Sequence, residues 1–561
     1  MADLIKLGAL GGLDENGRDC YFLEINDDIF IIECGISLPD KTIPGVDFLL
    51  PNPDYLVKNK NRIRGYFISH GHDEAMSGLK FIYNYAPAPV YCSRETQACI
   101  EGQAHIYHMK TKFNYVIVEP SSTFMVSGHE VRFFQTCHNV SGSSGMAFLT
   151  DKGWIVYSGD YIIDFDYKSG YHFDFKALSA ILDHPVFLLM SESKSATKSG
   201  YCSPKHRIKK IIEPNFRDEN KRIFICSFWQ NVYRLNEIMD LCRQYKKKLF
   251  PYNEYTRQIL VELSNVVPDF LKGIDVLANE DFSRVREQDL VVLIVGHNEK
   301  MYELIGDLGI NQNDDKRIIL GKNDIFINAS LPGITAETAC TRAMDKIYRS
   351  GCDVQWLKSK DCCSMHARED DVKFLLYLLK PKYYFPIRGN FTALMANAKI
   401  ALSMGIGLNY FNIFVMDNGM VLSFNEEGKP SLIPQEKSEI NVVPLLADGL
   451  GLSLVESDNV QDRVRMSEDG VVVIAASVSL NEKKIMAGPD CQMRGFVFVK
   501  ESEPLLKSIS NIFVDEINTA FTLPYFNVEQ VKANIEDRVK KFVKRENGRQ
   551  PYIIPIINVL E

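Results

Sequence analysis

Short apolar runs separated by turn residues dominate the first 160 residues of the chain. The runs are rich in isoleucine, valine, phenylalanine and tyrosine, a composition and length typical of β-strands. The predicted strands are YFLEI, IFIIECG, RGYFISH, APVYC, EVRFFQTCH and GWIVYSGD. This part of the chain is therefore expected to form a sheet-rich α/β unit.

The alternation of strand and helix resumes near residue 206 and predicts a second α/β unit. Its predicted strands are KRIFICSFWQ, KKKLFPY, DLVVLIVGH and KNDIFINAS, and its predicted helix is VYRLNEIMDLCRQYKK. Apolar residues then recur at helical spacing from Val372 to Leu379, and Pro381 ends that helix. The next run, YYFPI, predicts a strand that leads into Arg388.

The end of the chain reads as a smaller, separate unit. Residues 423–441 are polar, with two prolines and a glycine, and predict a linker. Beyond them the pattern predicts further strands and one clear helix, FNVEQVKANIEDRVKKFVKR. No apolar run reaches the roughly 18 to 20 residues that cross a bilayer, and the first residues do not resemble a signal peptide.

Composition narrows the class of protein. Of 561 residues, 46% are hydrophobic and 24% are charged, which excludes a largely disordered chain. The formal net charge of -8 excludes a histone-like coat of positive charge, although a local basic groove stays compatible with it. Thirteen cysteines without a CxxC pair predict free thiols in a reducing compartment, so a cytoplasmic protein is expected.

Several predicted strands end on residues that can bind a metal ion. RGYFISH leads into His70 and His72, EVRFFQTCH ends at His138, and GWIVYSGD ends at Asp160. A single histidine after a strand is usually an ordinary polar residue, but strand ends gather at one edge of an α/β sheet. Three imidazoles and one carboxylate are a suitable ligand set for tetrahedral zinc, so the combination predicts a metal site.

These motifs carry a resemblance to a known family. HGHDEA, with CH at 137–138 and SGD at 158–160, resembles the ligand series of the metallo-β-lactamase fold. SMH at 364–366, LPGITAETACTRAMDKIYRSGCDV, KPKYYFPIRGNF and GPDCQMRGFVFV narrow the resemblance to the β-CASP ribonuclease J family of bacteria. The resemblance extends over essentially the whole chain.

The resemblance implies a fold of the α/β class with three parts. A metallo-β-lactamase αββα sandwich is expected from residues 1–205 and 373–440, with an inserted β-CASP α/β domain at 206–372. A linker at 441–455 and a small α/β C-terminal domain at 456–561 are expected to follow. The implied activity is 5'-3' exoribonuclease and endoribonuclease action in mRNA decay and ribosomal RNA maturation, with RNA as partner and a dimer or tetramer as assembly.

The family's ligands carry over only in part. His70, His72, His138 and Asp160 match a complete first metal site, and Asp160 is then also a catalytic residue. The ligands private to the second metal are replaced, as Glu74, Ala75 and Arg388 show. Alanine has no donor atom and a guanidinium cannot lose its proton in a protein. At most one zinc or manganese ion is therefore expected, or none, with Glu74 as a doubtful ligand.

Two interpretations of Arg388 are open at this point. Its charge could pair with Asp160 and Glu74 and cancel the repulsion that a second metal would otherwise neutralise. Alternatively, Arg388 could turn outward to solvent. Glu33, in IIECG, stands where the family has an aspartate that supports a ligand histidine, so the surroundings of the ligands also differ.

The phosphate-binding residues of the family are also altered. His366 matches a histidine that assists proton transfer or contacts phosphate, and Ser364 could hydrogen-bond a phosphate, but Met365 replaces a glycine. Gln230, Asn231 and Arg234 stand at a 5'-phosphate pocket where Gln230 replaces a serine. The plain alternative is that Asn231 and Arg234 form an ordinary helix N-terminus.

Three functions are compatible with these losses. The first is a weakly active or inactive subunit that supports an active ribonuclease J paralogue in a hetero-assembly. The second is an active ribonuclease with a single metal ion, and the third is a metal-free RNA-binding scaffold. Basic runs at 205–210, 246–250 and 538–549 are candidate RNA contacts, or simply solvated faces.

Overall fold

The computed structural model describes residues 2–560 except 40–42, 44, 107–110, 120, 167, 219, 268, 334–335, 449–453, 456 and 496–502. The chain divides into two units. The first consists of Met1–Ser37 and Leu50–Pro444, and the second of Leu38–Leu49 and Leu445–Glu561.

The first stretch of the chain supplies most of two β-sheets. Its strands are β1 (Ile5–Gly11), β2 (Cys20–Ile25), β3 (Asp28–Ile32), β4 (Phe48–Leu50), β5 (Ile63–Phe67), β6 (Val90–Cys92), β7 (Tyr115–Ile117), β8 (Thr123–Val126), β9 (His129–Gln135), β10 (Ser144–Thr150), β11 (Gly153–Tyr157) and β12 (Val186–Glu192). Its helices are α1 (Asp54–Lys58), α2 (Asp73–Met76), α3 (Leu79–Ile82), α4 (Arg94–Ile106) and α5 (Phe175–Ala180).

The middle stretch forms a separate five-stranded sheet with helices on both faces. Its strands are β13 (Arg222–Phe228), β14 (Lys248–Pro251), β15 (Leu290–Gly296), β16 (Asp324–Asn328) and β17 (Asp353–Trp356). Its helices are α6 (Lys209–Arg217), α7 (Val232–Gln244), α8 (Glu254–Val266), α9 (Asn298–Gly309) and α10 (Glu337–Arg349). All pairs in the order β14-β15-β13-β16-β17 are parallel, which explains why its strands are continuous apolar runs.

The chain then returns to the first two sheets. This stretch contains α11 (Glu369–Leu379), β18 (Tyr383–Ile387), α12 (Phe391–Ser403), β19 (Val421–Phe424), β20 (Pro430–Ile433) and α13 (Gln435–Ser438). Strand β18 pairs with β12 in parallel, while β19 pairs with β1 and β20 with β19. The predicted linker at 423–441 is therefore wrong, because it contains β20, a short and exposed edge strand that begins at a proline.

The two completed sheets pack face to face. One has the order β20-β19-β1-β2-β3-β5-β6-β7, and the other has the order β18-β12-β11-β10-β9-β8. Their shared core includes Leu7 and Phe67 from the first sheet and Phe148, Met190 and Phe385 from the second. Separate apolar clusters lie under the helices on each outer face. This is the expected αββα sandwich, with the five-stranded α/β domain inserted into its second half.

The second unit is a small α/β structure. Its strands are β21 (Leu445–Ala447), β22 (Leu454–Val455), β23 (Val471–Ser479), β24 (Lys484–Arg494) and β25 (Tyr552–Leu560), and its helices are α14 (Ser457–Asp469), α15 (Glu503–Phe521) and α16 (Val528–Asn547). One face of the β24-β23-β25 sheet packs on α15 and α16 through residues such as Ile474, Phe513 and Ile535. Residues 38–49, which carry most of β4, belong to this unit although they lie far away in sequence.

Parallel strands of the six-stranded sheet bring distant residues to one edge. Strands β11, β12 and β18 are neighbours and run in parallel, so their carboxyl ends lie side by side. Asp160, Lys194 and Arg388 follow these three ends, and His138 follows β9, which has the same direction because β10 is antiparallel to both β9 and β11. The topology therefore builds one site from four separate segments.

Two further expectations concern the chain as a whole. In the part of the chain that the structure describes, no helix is both long and apolar enough to cross a bilayer. All thirteen cysteines are free, and most are buried. The sequence-based expectation of free thiols is therefore confirmed.

The side chain of Asn397 in α12 connects that helix to the end of β12 and generates a stability prediction. It is fully buried; its Nδ2 donates to the Glu192 carbonyl at 2.8 Å and to Ser193 Oγ at 3.0 Å, and its Oδ1 accepts from Tyr384 at 2.5 Å. We expect Asn397→Ala to lower the free energy of unfolding by about 2 to 4 kcal/mol, because it leaves buried polar groups unpaired. Urea titration measures this, with Lys399→Ala on the exposed face of α12 as control; equal effects would contradict the prediction.

Candidate metal centre

Four donor atoms converge on one point at the edge of the sandwich. The Nε2 of His70 lies 3.1 Å from the Nδ1 of His72, which lies 3.4 Å from the Nε2 of His138. The Oδ2 of Asp160 lies 3.7 Å from His70 Nε2 and 3.5 Å from His138 Nε2. A tetrahedral ion with bonds of 2.0 to 2.1 Å has ligand atoms about 3.3 Å apart, so these residues fit one four-coordinate metal ion.

Each histidine is oriented by an acceptor behind it. The Nδ1 of His138 is 2.8 Å from the Met365 carbonyl, and the Nε2 of His72 is 3.1 Å from the Gln230 carbonyl. A carbonyl oxygen can only accept, so each of these ring nitrogens carries its proton. The opposite nitrogen of each ring therefore turns a lone pair towards the convergent point, as metal binding requires.

His70 is held through a longer relay that ends at Glu33. The Nδ1 of His70 is 2.7 Å from Ser69 Oγ, and that hydroxyl donates a short hydrogen bond to Glu33. Glu33 also accepts from the Ser69 backbone N–H at 3.1 Å and from the Tyr157 hydroxyl at 2.8 Å. Burial raises the pKa of Glu33 to about 8. The glutamate thus supports a ligand histidine indirectly, across a serine.

The protonation states also suit a metal ion. Burial holds the pKa values of His70 and His138 well below their usual range, so both imidazoles are neutral near pH 7. Burial alone would raise the pKa of Asp160, but Arg388 and the neighbouring histidines together outweigh it and the pKa is lowered. The cluster therefore offers neutral nitrogens and an ionised carboxylate, as ligands must.

Arg388 is buried beside this cluster and does not face solvent. Its Nη1 lies 2.5 Å from Asp160 Oδ1, and its Nη2 lies 2.8 Å from Asp19 Oδ2 and 3.6 Å from Glu74 Oε1. These are ion pairs in which the N–H groups are not aligned for hydrogen bonding. Its backbone has a φ of 58°, a conformation that costs a non-glycine residue on the order of 1 kcal/mol. Of the two interpretations, the inward ion pair is the one observed.

The carboxylate of Glu74 forms ion pairs with positively charged side chains. Its Oε1 accepts from Lys194 Nζ at 2.8 Å. Burial by itself would raise the pKa of Glu74, but Lys194 and other neighbours hold it well below its usual range. The backbone of Glu74 packs directly on Gly35, where a Cβ would lie 1.6 Å from the Glu74 carbonyl oxygen. Ala75 is fully buried and offers no donor atom.

Sequence reasoning missed two members of this charged cluster, Asp19 and Lys194. Burial raises the pKa of Asp19 to about 7 despite the nearby Arg388. Both residues had a usable signal in the sequence, since Asp19 directly precedes β2 and Lys194 follows the end of β12. A lysine is not a metal ligand, and Asp19 precedes its strand, so neither residue fits the pattern of metal ligands that follow strand ends.

His366, near the C-terminal end of the inserted domain, lies beside the same site. Its Nδ1 lies 3.0 Å from Glu192 Oε2 and 3.5 Å from Asp160 Oδ2. Burial lowers the pKa of His366 to about 3. Glu192, which sequence reasoning also missed, accepts from the backbone N–H groups of Tyr161 and Ala367, both at 3.0 Å. Asp160, Glu192 and His366 form a second group of donor atoms close enough to share an ion.

Comparisons with known proteins agree with this geometry. The model of the ribonuclease J C-terminal domain matches residues 459–560. Proteins named Ribonuclease J 2 match along nearly the whole length. The relative from Streptococcus pyogenes is 28% identical over 99% of each chain. Those from Staphylococcus epidermidis and Staphylococcus aureus are 26% and 25% identical over 99% of this chain and 98% of theirs. These matches support a member of the ribonuclease J family.

The family's 5'-phosphate residues are used inside the fold in this member. The side chain of Asn231 caps α7 by accepting from the Arg234 backbone N–H at 3.1 Å. Arg234 is buried, and its Nη1 donates to the Ala329 carbonyl at 2.6 Å. Gln230 Nε2 donates to Asp73 at 2.8 Å. The helix N-terminus that sequence analysis gave as the plain alternative describes Asn231, and a phosphate-binding role for the three residues stays a prediction.

The loop before His366 is similarly constrained. Ser364 is half-buried, and its carbonyl lies 3.2 Å from Cys202 Sγ. Met365, which replaces the family's glycine, is buried in an apolar cluster. The Sγ atoms of Cys202 and Cys363 are 3.2 Å apart. The loop thus presents His366 to the site while the residues before it pack into the core; phosphate contact by Ser364 stays a prediction.

Some charges of the basic runs pair with local partners. In KHRIKK, His206 is buried and Arg207 pairs with Asp164 at 2.6 Å. In KKKLF, Lys248 pairs with Asp275 at 3.2 Å, and near the end of the chain Arg538 pairs with Glu516 at 2.5 Å. RNA contact by these runs stays a prediction that the paired charges weaken.

The buried His206 generates a prediction of pH dependence. Burial lowers its pKa from 6.5 to about 4, so the unfolded chain takes up this proton at a higher pH than the folded one. Stability is therefore fully present above pH 6.5 and falls as the pH decreases towards 4. We expect wild type to lose about 3 kcal/mol more than His206→Gln between pH 7 and pH 4. Urea titrations at fixed pH values measure this, and identical pH dependences would contradict it.

Proposed function

We propose that this chain is an RNA-binding ribonuclease J subunit with one metal site and little or no hydrolytic activity of its own, which supports an active paralogue in RNA processing and decay. One observation carries the proposal: the guanidinium of Arg388 is buried against Asp160, on the side away from the three histidines. In the two-metal members of the family that the sequence resembles, Arg388 stands where a ligand of the second ion stands.

The charges around Asp160 support a single ion. Asp160 and Glu74 are both ionised, and Arg388 and Lys194 match them one for one. A second divalent cation beside Asp160 and Glu74 would have to approach two fixed positive charges, those of Arg388 and Lys194. Coulomb repulsion at a few ångströms in a buried site amounts to several kcal/mol, which disfavours that ion strongly.

The first site retains every ligand that one ion needs. His70, His72, His138 and Asp160 would hold it, and three nitrogens with one oxygen favour zinc, with manganese as the alternative. A divalent ion bound there supplies Lewis-acid polarisation and lowers the pKa of a bound water. His366 is positioned beside Asp160 to exchange a proton with, or contact, a phosphate held at this edge.

A second candidate function is an active ribonuclease that uses this single ion. The intact ligand geometry favours it, with Arg388 stabilising charge in place of the second ion. The first candidate explains more, since the 5'-phosphate residues are also turned to structural use. A metal-free scaffold is the outcome if no ion binds.

The partners follow from the family. RNA is the proposed ligand, and self-association as a dimer or tetramer together with hetero-assembly is the proposed quaternary state. Thirteen free thiols suit the reducing cytoplasm, which is the proposed location.

Metal content tests the single-ion proposal. We expect about one equivalent of zinc or manganese per untagged wild-type chain by elemental analysis. Replacing the altered ligands in the triple variant Glu74→Asp, Ala75→His and Arg388→His is expected to admit a second equivalent. Because Lys194 still places a cation there, the same triple variant with Lys194→Met is measured beside it. One equivalent in both variants would refute the account of the second site, and none in wild type would establish the scaffold.

Activity tests the subunit proposal. We expect the isolated chain to degrade 5'-monophosphorylated RNA at least 100-fold more slowly than its active paralogue, because one of two ions that stabilise the transition state is missing. The mixture of the two chains is expected to exceed the paralogue alone in stability or activity. Fast turnover by the isolated chain that His70→Ala abolishes would instead establish the single-metal ribonuclease.

A further inference from the structure

The charged cluster has a buried layer and a layer that faces solvent. Arg388 and Asp160 have side chains that are 0% exposed, so a ligand outside the fold cannot touch them. Lys194 is 13% exposed and Glu74 is 22% exposed. His366 is also 13% exposed. The positive charge that a bound molecule meets at this edge is therefore that of Lys194 and not that of Arg388.

The Nζ of Lys194 also has more N–H donors than it uses within the described residues. An ammonium group has three N–H donors. Within the described residues, one of these goes to Glu74 Oε1 at 2.8 Å, and the structure gives no second acceptor to Lys194 Nζ. The carboxylate holds the ammonium in place while other donors stay available to an oxygen that comes from outside.

A phosphate that approaches this site requires a positive charge to offset the carboxylate of Glu74. Glu74 is the carboxylate of the Lys194 ion pair and lies at the solvent-facing side of the site, where its oxygens repel an approaching phosphate. Lys194 is the positive group in direct contact with it that also reaches the surface. A compact ammonium binds phosphate oxygens as a point charge without demanding a planar, bidentate approach.

We propose that Lys194 is the phosphate-contacting residue of this site, and that its Nζ donates to a non-bridging oxygen of an RNA phosphodiester held beside the metal ligands. This role rests on the proposed function, namely that the chain binds RNA. It assigns substrate contact to Lys194 and leaves Arg388 a purely internal role.

Binding to a single-stranded 2'-O-methyl RNA tests the proposal without interference from cleavage. Fluorescence anisotropy compares wild type, Lys194→Met and Lys198→Met, the last being an exposed lysine four residues along the same segment. We expect Lys194→Met to bind roughly tenfold more weakly at low salt, and Lys198→Met to bind like wild type. The slope of log K against log salt should become shallower by about 0.7 for Lys194→Met, the loss of one phosphate contact to a single strand.

A second variant separates phosphate contact from a structural effect. Lys194→Met leaves Glu74 without its cation, so the double variant Lys194→Met with Glu74→Gln removes both charges together. We expect the double variant to keep the shallower salt slope. A scan in which one linkage at a time is an uncharged methylphosphonate should reveal a position where wild type and Lys194→Met bind equally.

The outcomes separate the two proposals. Wild-type binding that Lys194→Met does not weaken, or a double variant with the wild-type salt slope, would overturn the role of Lys194 alone. Absence of RNA binding by the wild-type chain would overturn the proposed function and this role together.

Discussion

The buried ion pair between Arg388 and Asp160 is the interaction on which the site depends. Removing two charges from water costs several kcal/mol each, and only close, mutual compensation makes that burial tolerable. Here the compensation extends outward, because Asp19 shares the guanidinium and Glu74 links it to Lys194. The result is a network of alternating charges around Asp160. The same arginine favours the ionised form of Asp160, the form that a metal ligand needs.

The surviving metal site draws its rigidity from two domains at once. The sandwich supplies all four ligands, but two of the three groups that orient the histidines come from elsewhere. The Gln230 carbonyl lies at the start of α7 in the inserted domain, and the Met365 carbonyl lies in the loop that returns from it. A motion of the inserted domain would therefore displace the carbonyl groups that orient His72 and His138. This arrangement explains how the ligand geometry persists even though the neighbouring second-metal ligands are lost.

The residues expected at a phosphate pocket make contacts within the fold. Asn231 caps a helix, Arg234 satisfies a buried carbonyl, and Met365 fills an apolar cluster. Each of these residues is therefore engaged with the fold itself. Lys194 differs, since it keeps both surface exposure and donors that the fold does not use.

The sequence by itself determined most of the strand pattern and the helix between Val372 and Leu379, because apolar runs and helical spacing are local regularities. The αββα class was implied by the resemblance to a family, and metal-binding residues at strand ends made the first ligand set a prediction. The sequence left two interpretations of the Arg388 side chain open, because no local sequence pattern determines whether a side chain after a strand turns inward. The edge strand β20 was missed, since its four residues are mostly exposed, begin with a proline and are too few to show the alternation of a half-buried strand.

Only the tertiary structure decided which distant residues meet. Asp19 and Lys194 are 369 and 194 positions away from Arg388 in sequence. Their charges interact because β12 and β18 run side by side and the segment before β2 reaches the same edge. Burial then set the pKa values and sealed Arg388 from solvent while leaving Lys194 at the surface. Electrostatic energy depends on separation and on access of water, and neither quantity is encoded at any single position of the chain.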